Sequence, residues 1–167
     1  HKSKYVVPVV VLLRDVLGYA ETAKEVKLVV NRQDVLVNAK KVVDVKSPVG
    51  LFDILEIKDT KEKYSVLFDE LGKVKLIPQS EDKLYLKVEK KTQVQGSKYQ
   101  LNFMNGFNTL VDKKTFSAVG IQDSVVYDLS KKKVEKILPL KEKSQVYIYD
   151  GKFKGQFAEV KSFELYK

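Results

Sequence analysis

Lys24, Lys27 and Asn31 recur at i, i+3 and i+7, and Arg32, Lys40 and Lys41 follow soon after. A cationic row at helical spacing suits the phosphates of a nucleic-acid backbone, because each lysine is a point charge that demands no particular base edge. Only Arg14 and Arg32 are arginines, so bidentate reading of bases is poorly served and backbone contact is favoured. Covalent chemistry has little to work with. There is no Cys and the one His is His1, which excludes disulfides, thiolate chemistry and zinc-finger spacing. Asp15, Asp53, Asp69 and Asp128 are the carboxylates beside apolar runs, and nothing in their spacing pairs two of them. No nucleophile with a neighbouring His and no nucleotide-type phosphate loop occurs, so we expect no catalysis, cofactor, metal or small-molecule substrate.

The elements that must position those cations lie in the first third of the chain. Val9, Leu12, Leu13, Val16, Leu17 and Ala20 form one helical stripe, which predicts a helix with Pro8 in its first turn. The β-branched residues Val6, Val7 and Val9 to Val11 argue for strand, and the spacing is given precedence. Gly18 is placed to end the helix in the left-handed conformation, and Thr22-Ala-Lys-Glu25 is a capping box that starts a second helix near Ala23. That helix is expected to bury Ala23, Val26, Val29 and Val30 and to turn Lys24, Lys27 and Asn31 outward. Val35-Leu-Val37 and Val42-Val-Asp-Val45 then read as two strands joined through Asn38-Ala-Lys-Lys41.

The 167 residues carry 31 Lys and Arg against 22 Asp and Glu, a formal charge of +9, and 44% are hydrophobic. That describes a folded chain of one to three domains whose partner is a polyanion, either nucleic acid or an anionic membrane face. The basic excess is 2 over residues 1–57, 5 over 58–140 and 2 over 141–167, so a binding surface must come from placement on faces, not from a basic tail. His1-Lys-Ser-Lys followed by Tyr5 to Leu13 imitates a secretory signal, but Arg14 and Asp15 interrupt the run while its helical period continues through them. No stretch is long enough to span a membrane. Position 1 is His, not Met, and we expect a longer protein of which this is a part.

From Tyr64 onward the period changes to two, as in Tyr64-Val66-Phe68, Leu84-Leu86-Val88 and Tyr99-Leu101-Phe103. Asn105-Gly106 predicts a hairpin between Tyr99–Phe103 and Phe107–Val111, and a second is expected between Val125–Leu129 and Val134–Leu138. Residues 58–140 therefore read as an all-β barrel or sandwich. Tyr64, Phe68, Tyr85, Tyr99 and Phe103 are taken as core in preference to base-stacking platforms, and Lys131-Lys-Lys133 as a solvated turn in preference to an RNA contact; Lys90-Lys91 and Lys113-Lys114 are read in the same way.

Helix, glycine turn, capped helix and Val35-Leu-Val-Asn-Ala-Lys40, in that order, resemble the S-four RNA-binding domain. The run Ser47-Pro-Val-Gly-Leu-Phe-Asp-Ile-Leu-Glu-Ile57 is similar to one group within it, the S-four-e family of small-subunit ribosomal proteins. Ile121-Gln-Asp-Ser-Val-Val-Tyr-Asp-Leu129 extends the likeness, although Ala118-Val-Gly120 departs from the usual pattern. Val146 to Val160 resembles a KOW motif, with Gly151 and Gly155 matching and Ala158 standing where a third Gly is usual. Ala39 likewise replaces the usual hairpin Gly. The resemblance implies an α+β fold, with an S-four-like helix-turn-helix and small sheet over 1–57, a central β domain over 58–140 and a KOW/SH3-like segment over 141–167. It implies a structural constituent of the small ribosomal subunit in the cytoplasm, with ribosomal RNA and neighbouring ribosomal proteins as partners. Arg14, Thr22, Lys24, Lys27, Arg32, Lys40, Lys41, Lys152 and Lys154 are the expected RNA contacts, chosen by their placement. The competing readings are the RNA-docking part of an RNA-modifying or tRNA-charging enzyme, and a β-rich protein-interaction module.

Overall fold

Local β preference and helical spacing meet at Pro8. A computed structural model describes residues 5–32 and 34–162. Val6–Pro8 (β1) is extended and pairs antiparallel with Pro48–Gly50 (β4), so strand propensity prevails up to the proline. Pro8 is the residue before the helix, with φ −64° and ψ 145°, and not part of its first turn. The helix α1, Val9–Val11, continues as a π-helical turn over Leu12–Val16, closed by the Leu17 N–H on the Leu12 carbonyl at 2.9 Å. Its first N–H groups are satisfied from outside: Val9 donates to the Ser47 carbonyl (3.0 Å) and Val10 to that of Val45 (2.9 Å). Val9, Leu12 and Leu13 are fully buried, but the wider turn leaves Val16 exposed and Leu17 half-buried, which cuts the expected stripe short. Gly18 ends the helix at φ +62°, as its position predicted.

Ala23–Asn31 (α2) carries the capping box in full. Val26 and Val30 are buried and Val29 is half-buried, whereas Ala23 lies at the surface. After Val35–Val37 (β2) the chain reverses on Asn38 and Ala39 alone, at φ +50° and +62°, the left-handed pair of a two-residue hairpin. The returning strand is therefore Lys40–Lys41 (β3), earlier than the expected Val42–Val45. Ile54–Ile57 (β5), Glu62–Phe68 (β6) and Val74–Pro78 (β7) complete an antiparallel sheet in the order β3-β2-β5-β6-β7. Leu12, Leu13, Val26, Val30, Leu55 and Val66 are central to its core. β6 hydrogen-bonds to β5, and the chain forms two compact units, 2–82 and 83–167.

The second unit is built on the long strand Lys83–Val94 (β8). Lys98–Phe103 (β9), Asn108–Val111 (β10), Ser124–Asp128 (β11) and Lys133–Leu138 (β12) join it in the order β10-β9-β8-β11-β12. The edges β10 and β12 approach one another, which curls the sheet toward a barrel. Both predicted hairpins form. The expectation of an all-β segment needs correction, because Lys113–Ala118 is a helix (α3). Asp112 caps it by accepting the Thr115 N–H at 2.7 Å, and Lys91 fastens it, its Nζ 2.6 Å from the Val119 carbonyl and 4.5 Å from the Phe116 ring centre. Lys131 and Lys132 lie in a turn that Asp128 stabilises by accepting the Lys131 N–H at 2.9 Å. That bond is the main cause holding the Asp128 carboxyl below its ordinary range. Phe68 and Phe103 are core residues as expected, Tyr64 and Tyr99 are half-buried, and Tyr85 is 50% exposed. Gln145–Tyr147 (β13) and Phe157–Glu159 (β14) pair as a final hairpin.

Among the described residues one turn occurs three times. In Gly50–Asp53, Gly120–Asp123 and Lys141–Ser144 the first N–H donates to the fourth side chain, at 2.7, 2.8 and 3.2 Å. The fourth N–H returns to the first carbonyl, and the third residue is left-handed: Phe52 at φ +62°, Gln122 at +78°, Lys143 at +64°. Each third N–H donates to a valine on the opposing chain, Val66, Val88 or Val160, whose own N–H donates back to the fourth carbonyl. Every copy thus clips the start of a strand (β5, β11, β13) to its neighbour.

Candidate nucleic-acid interface

The α2 face presents Lys24, Lys27 and Asn31 to solvent with Arg32 at the end of the helix, and Leu28, 59% exposed, stands in the same row. The start of the helix is less available to an anion than its sequence implied. Glu25 Oε2 accepts the N–H groups of Glu21 (2.8 Å) and Thr22 (3.1 Å), and the Thr22 hydroxyl accepts that of Glu25 (3.3 Å). A resident carboxylate there opposes a phosphate, so the attraction of this helix rests on Lys24, Lys27 and Arg32.

Arg14 is exposed but held by its neighbour, with Nε 2.6 Å and Nη2 2.9 Å from the two Asp15 carboxylate oxygens. This bidentate bond is the first cause raising the guanidinium pKa and lowering that of Asp15. A phosphate must compete with that carboxylate. Lys40 and Lys41 are both exposed on the edge strand β3, but successive strand residues point to opposite faces, so they address different sides. Lys152 and Lys154 lie in the loop between β13 and β14, where Gly151 and Gly155 take φ +94° and +81°. Lys152 Nζ sits 5.6 Å from the Phe153 ring centre, and Lys154 is half-buried. The structure therefore brings Lys24, Lys27 and Arg32 together on α2 and places Lys152 and Lys154 in the other unit.

Charge follows the two units more sharply than the sequence blocks. Residues 2–82 hold 14 Lys and Arg against 13 Asp and Glu, whereas 83–167 hold 17 against 9. The unit bearing α2 is nearly neutral, so its attraction is local, while the second unit carries most of the excess. Sequence reading missed the outer face of β8 because Tyr85 was grouped with the core. Its signal was present: Lys83, Tyr85 and Lys87 alternate with Leu84, Leu86 and Val88. Among the described residues, no cluster of three His, Cys, Asp or Glu side chains that could hold a metal ion occurs, and no helix is long and apolar enough to cross a membrane.

Comparison with known proteins gives this geometry a context. Residues 60–134 match the ribosomal family S4e. The small ribosomal subunit protein eS4 of Nanoarchaeum equitans is 37% identical over 164 residues, spanning 96% of this chain and 68% of that protein. Its counterpart in Pyrobaculum calidifontis is 38% identical over 166 residues, spanning 96% and 70%. The crystal structure of the 30S ribosomal protein S4e from Thermoplasma acidophilum superposes with a TM-score of 0.80 over 99% of this chain and 85% of that one, and at 22% identity it supports the largely β fold alone. With sequence likeness running through almost its whole length, the chain belongs to the ribosomal S4e family.

Proposed function

We propose that this chain is a structural constituent of the small ribosomal subunit that holds ribosomal RNA through phosphate and shape contacts, beside neighbouring ribosomal proteins in the cytoplasm. The observation that carries the reading is the 37–38% identity, over 96% of the chain, to proteins named for that subunit. The family is structural and not catalytic, and the relatives lend no support to the RNA-docking part of a modifying or charging enzyme.

Within that role we assign residues 1–57 to an S-four-like RNA-facing module, 58–140 to the central β region and 141–167 to a KOW-like segment, as a division of labour across two folding units. The capped helix α2 after a glycine turn supports the first assignment. The glycine-bearing loop between paired strands supports the last. Lys24, Lys27 and Arg32 neutralise phosphates along α2, Thr22 fixes the helix start, and Arg14, Lys40 and Lys41 flank it, with Lys152 and Lys154 as a second contact.

Binding of the chain to small-subunit ribosomal RNA, titrated over a range of salt concentrations, tests the assignment. Lys24→Ala with Lys27→Ala is expected to weaken binding and to reduce the slope of log K against log salt by roughly one unit per lysine. An unchanged affinity and slope would remove α2 from the interface, and failure of the unaltered chain to enter small subunits would reject the ribosomal role itself.

A further inference from the structure

The outer face of β8, β9 and β10 carries a relay of hydrogen-bonded amides. Leu101 and Phe103 of β9 are buried, so the alternating Gln100 and Asn102 point away from the core. Directly paired residues share a face, which sets Lys90 of β8 and Asn108 of β10 on either side of Asn102, and Thr92 and Leu110 on either side of Gln100. Gln100 Nε2 donates to Asn102 Oδ1 at 2.6 Å, and Asn102 Nδ2 donates to the Thr92 hydroxyl at 3.1 Å. The relay fixes three side chains across two strands and leaves Gln100 Oε1 as an acceptor and the Thr92 hydroxyl proton as a donor. Asn108 is exposed, with no side-chain hydrogen bond among the described residues, and Leu110 is 57% exposed, so the face is open along β10. Glu89 is the one acidic residue in these strands, and the register shift after Val88 sets Lys90, not that carboxylate, opposite Asn102. Lys90 and Lys98 are exposed, and neither forms an ion pair among the described residues.

We infer that this face binds the minor groove of a double-stranded RNA segment, with Thr92, Gln100 and Asn108 hydrogen-bonding 2′-hydroxyls while Lys90 and Lys98 meet the bordering phosphates. The minor groove of A-form RNA is wide and shallow and displays its 2′-hydroxyls, each both donor and acceptor, so fixed amides and a hydroxyl match it without demanding a particular sequence. A relay already bonded within the sheet gives up little side-chain freedom on binding. Two unpaired lysines beside it, in a unit of 17 Lys and 9 acidic residues, favour a polyanion over a protein partner. The inference rests on the ribosomal reading and adds to it a contact that recognises the ribose, where the row on α2 recognises charge alone.

The full chain is titrated with a labelled RNA duplex and with the same duplex 2′-O-methylated, which keeps the A-form and the phosphates but removes the hydroxyl donors. Entry into small subunits depleted of this protein is measured in parallel. The unaltered chain is expected to bind the unmodified duplex roughly tenfold more tightly than the methylated one. Gln100→Ala with Asn108→Ala should abolish that preference and leave the salt slope unchanged, and Asn108→Ala alone, which breaks no bond within the protein, should reduce it to roughly threefold. Lys90→Ala with Lys98→Ala should lower the slope by roughly 0.9 per lysine on both duplexes and keep the preference. Equal binding of the two duplexes by the unaltered chain overturns the proposal, as does a preference that survives Gln100→Ala with Asn108→Ala. An unaltered chain that enters small subunits but shows no preference defeats this proposal alone, while one that fails to enter them defeats the ribosomal role.

Discussion

Ala39 occupies a backbone conformation that suits glycine. At φ +62°, beside Asn38 at +50°, it completes a left-handed pair that an alanine Cβ crowds, and the residue is exposed, so no packing compensates. Ala39→Gly is expected to stabilise the fold by about 1 kcal/mol, read from urea unfolding at constant slope. The hairpin forms despite the alanine because Asn38 is anchored on three sides. Its N–H donates to the Ile54 carbonyl (2.9 Å), its amide nitrogen to Asp53 Oδ1 (2.8 Å), and its side-chain oxygen accepts the Ile54 N–H (2.8 Å). Ala39 stood out in the sequence as a departure from the usual hairpin, but the compensating bonds, which come from residues fifteen and sixteen positions away, did not.

At the scale of elements, the thrice-used turn explains why short strands start where they do. Asp53 is buried and closes its copy with bonds from Gly50 and Asn38, whereas Ser144 closes the third copy near the surface with one longer bond from Lys141. Asp53→Ala leaves part-buried donors without an acceptor and should cost about 1–2 kcal/mol, with faster hydrogen exchange at the Phe52 and Val66 amides. Ser144→Ala should cost less than about 1 kcal/mol. Much of this level was legible in advance. The capping box, Gly18 and the Asn105-Gly106 hairpin are local signals whose geometry is set within a few residues, and all three formed as expected. The bond that fastens α3, from Lys91 to the Val119 carbonyl, is a contact across the chain, and periodicity could not supply it. The likeness of Ser47-Pro-Val-Gly-Leu-Phe-Asp53 to Ser117-Ala-Val-Gly-Ile-Gln-Asp123 was also there to be read, and it marks two of the three turns.

For the whole molecule, the uneven charge decides how a polyanion meets the chain. A field summed over 83–167 attracts at longer range than a cationic row on a nearly neutral unit, within the limit set by salt screening. On a heparin column, Lys131→Glu with Lys132→Glu is therefore expected to lower the eluting salt concentration more than Lys58→Glu with Lys61→Glu. All four lysines are exposed, so the comparison separates the field of each unit from packing effects. The cationic row of α2 was partly legible because helical spacing places it, whereas the bonds of Asp15 to Arg14 and of Glu25 at the helix start emerge only from the folded geometry. The recurring turn carries a last implication for how such a chain tolerates change. Since each of these three strand pairs brings its own clasp, alignment of its two arms is decided on the spot, and lengthening or shortening the connector before Gly50, Gly120 or Lys141 need not slide the arms past one another.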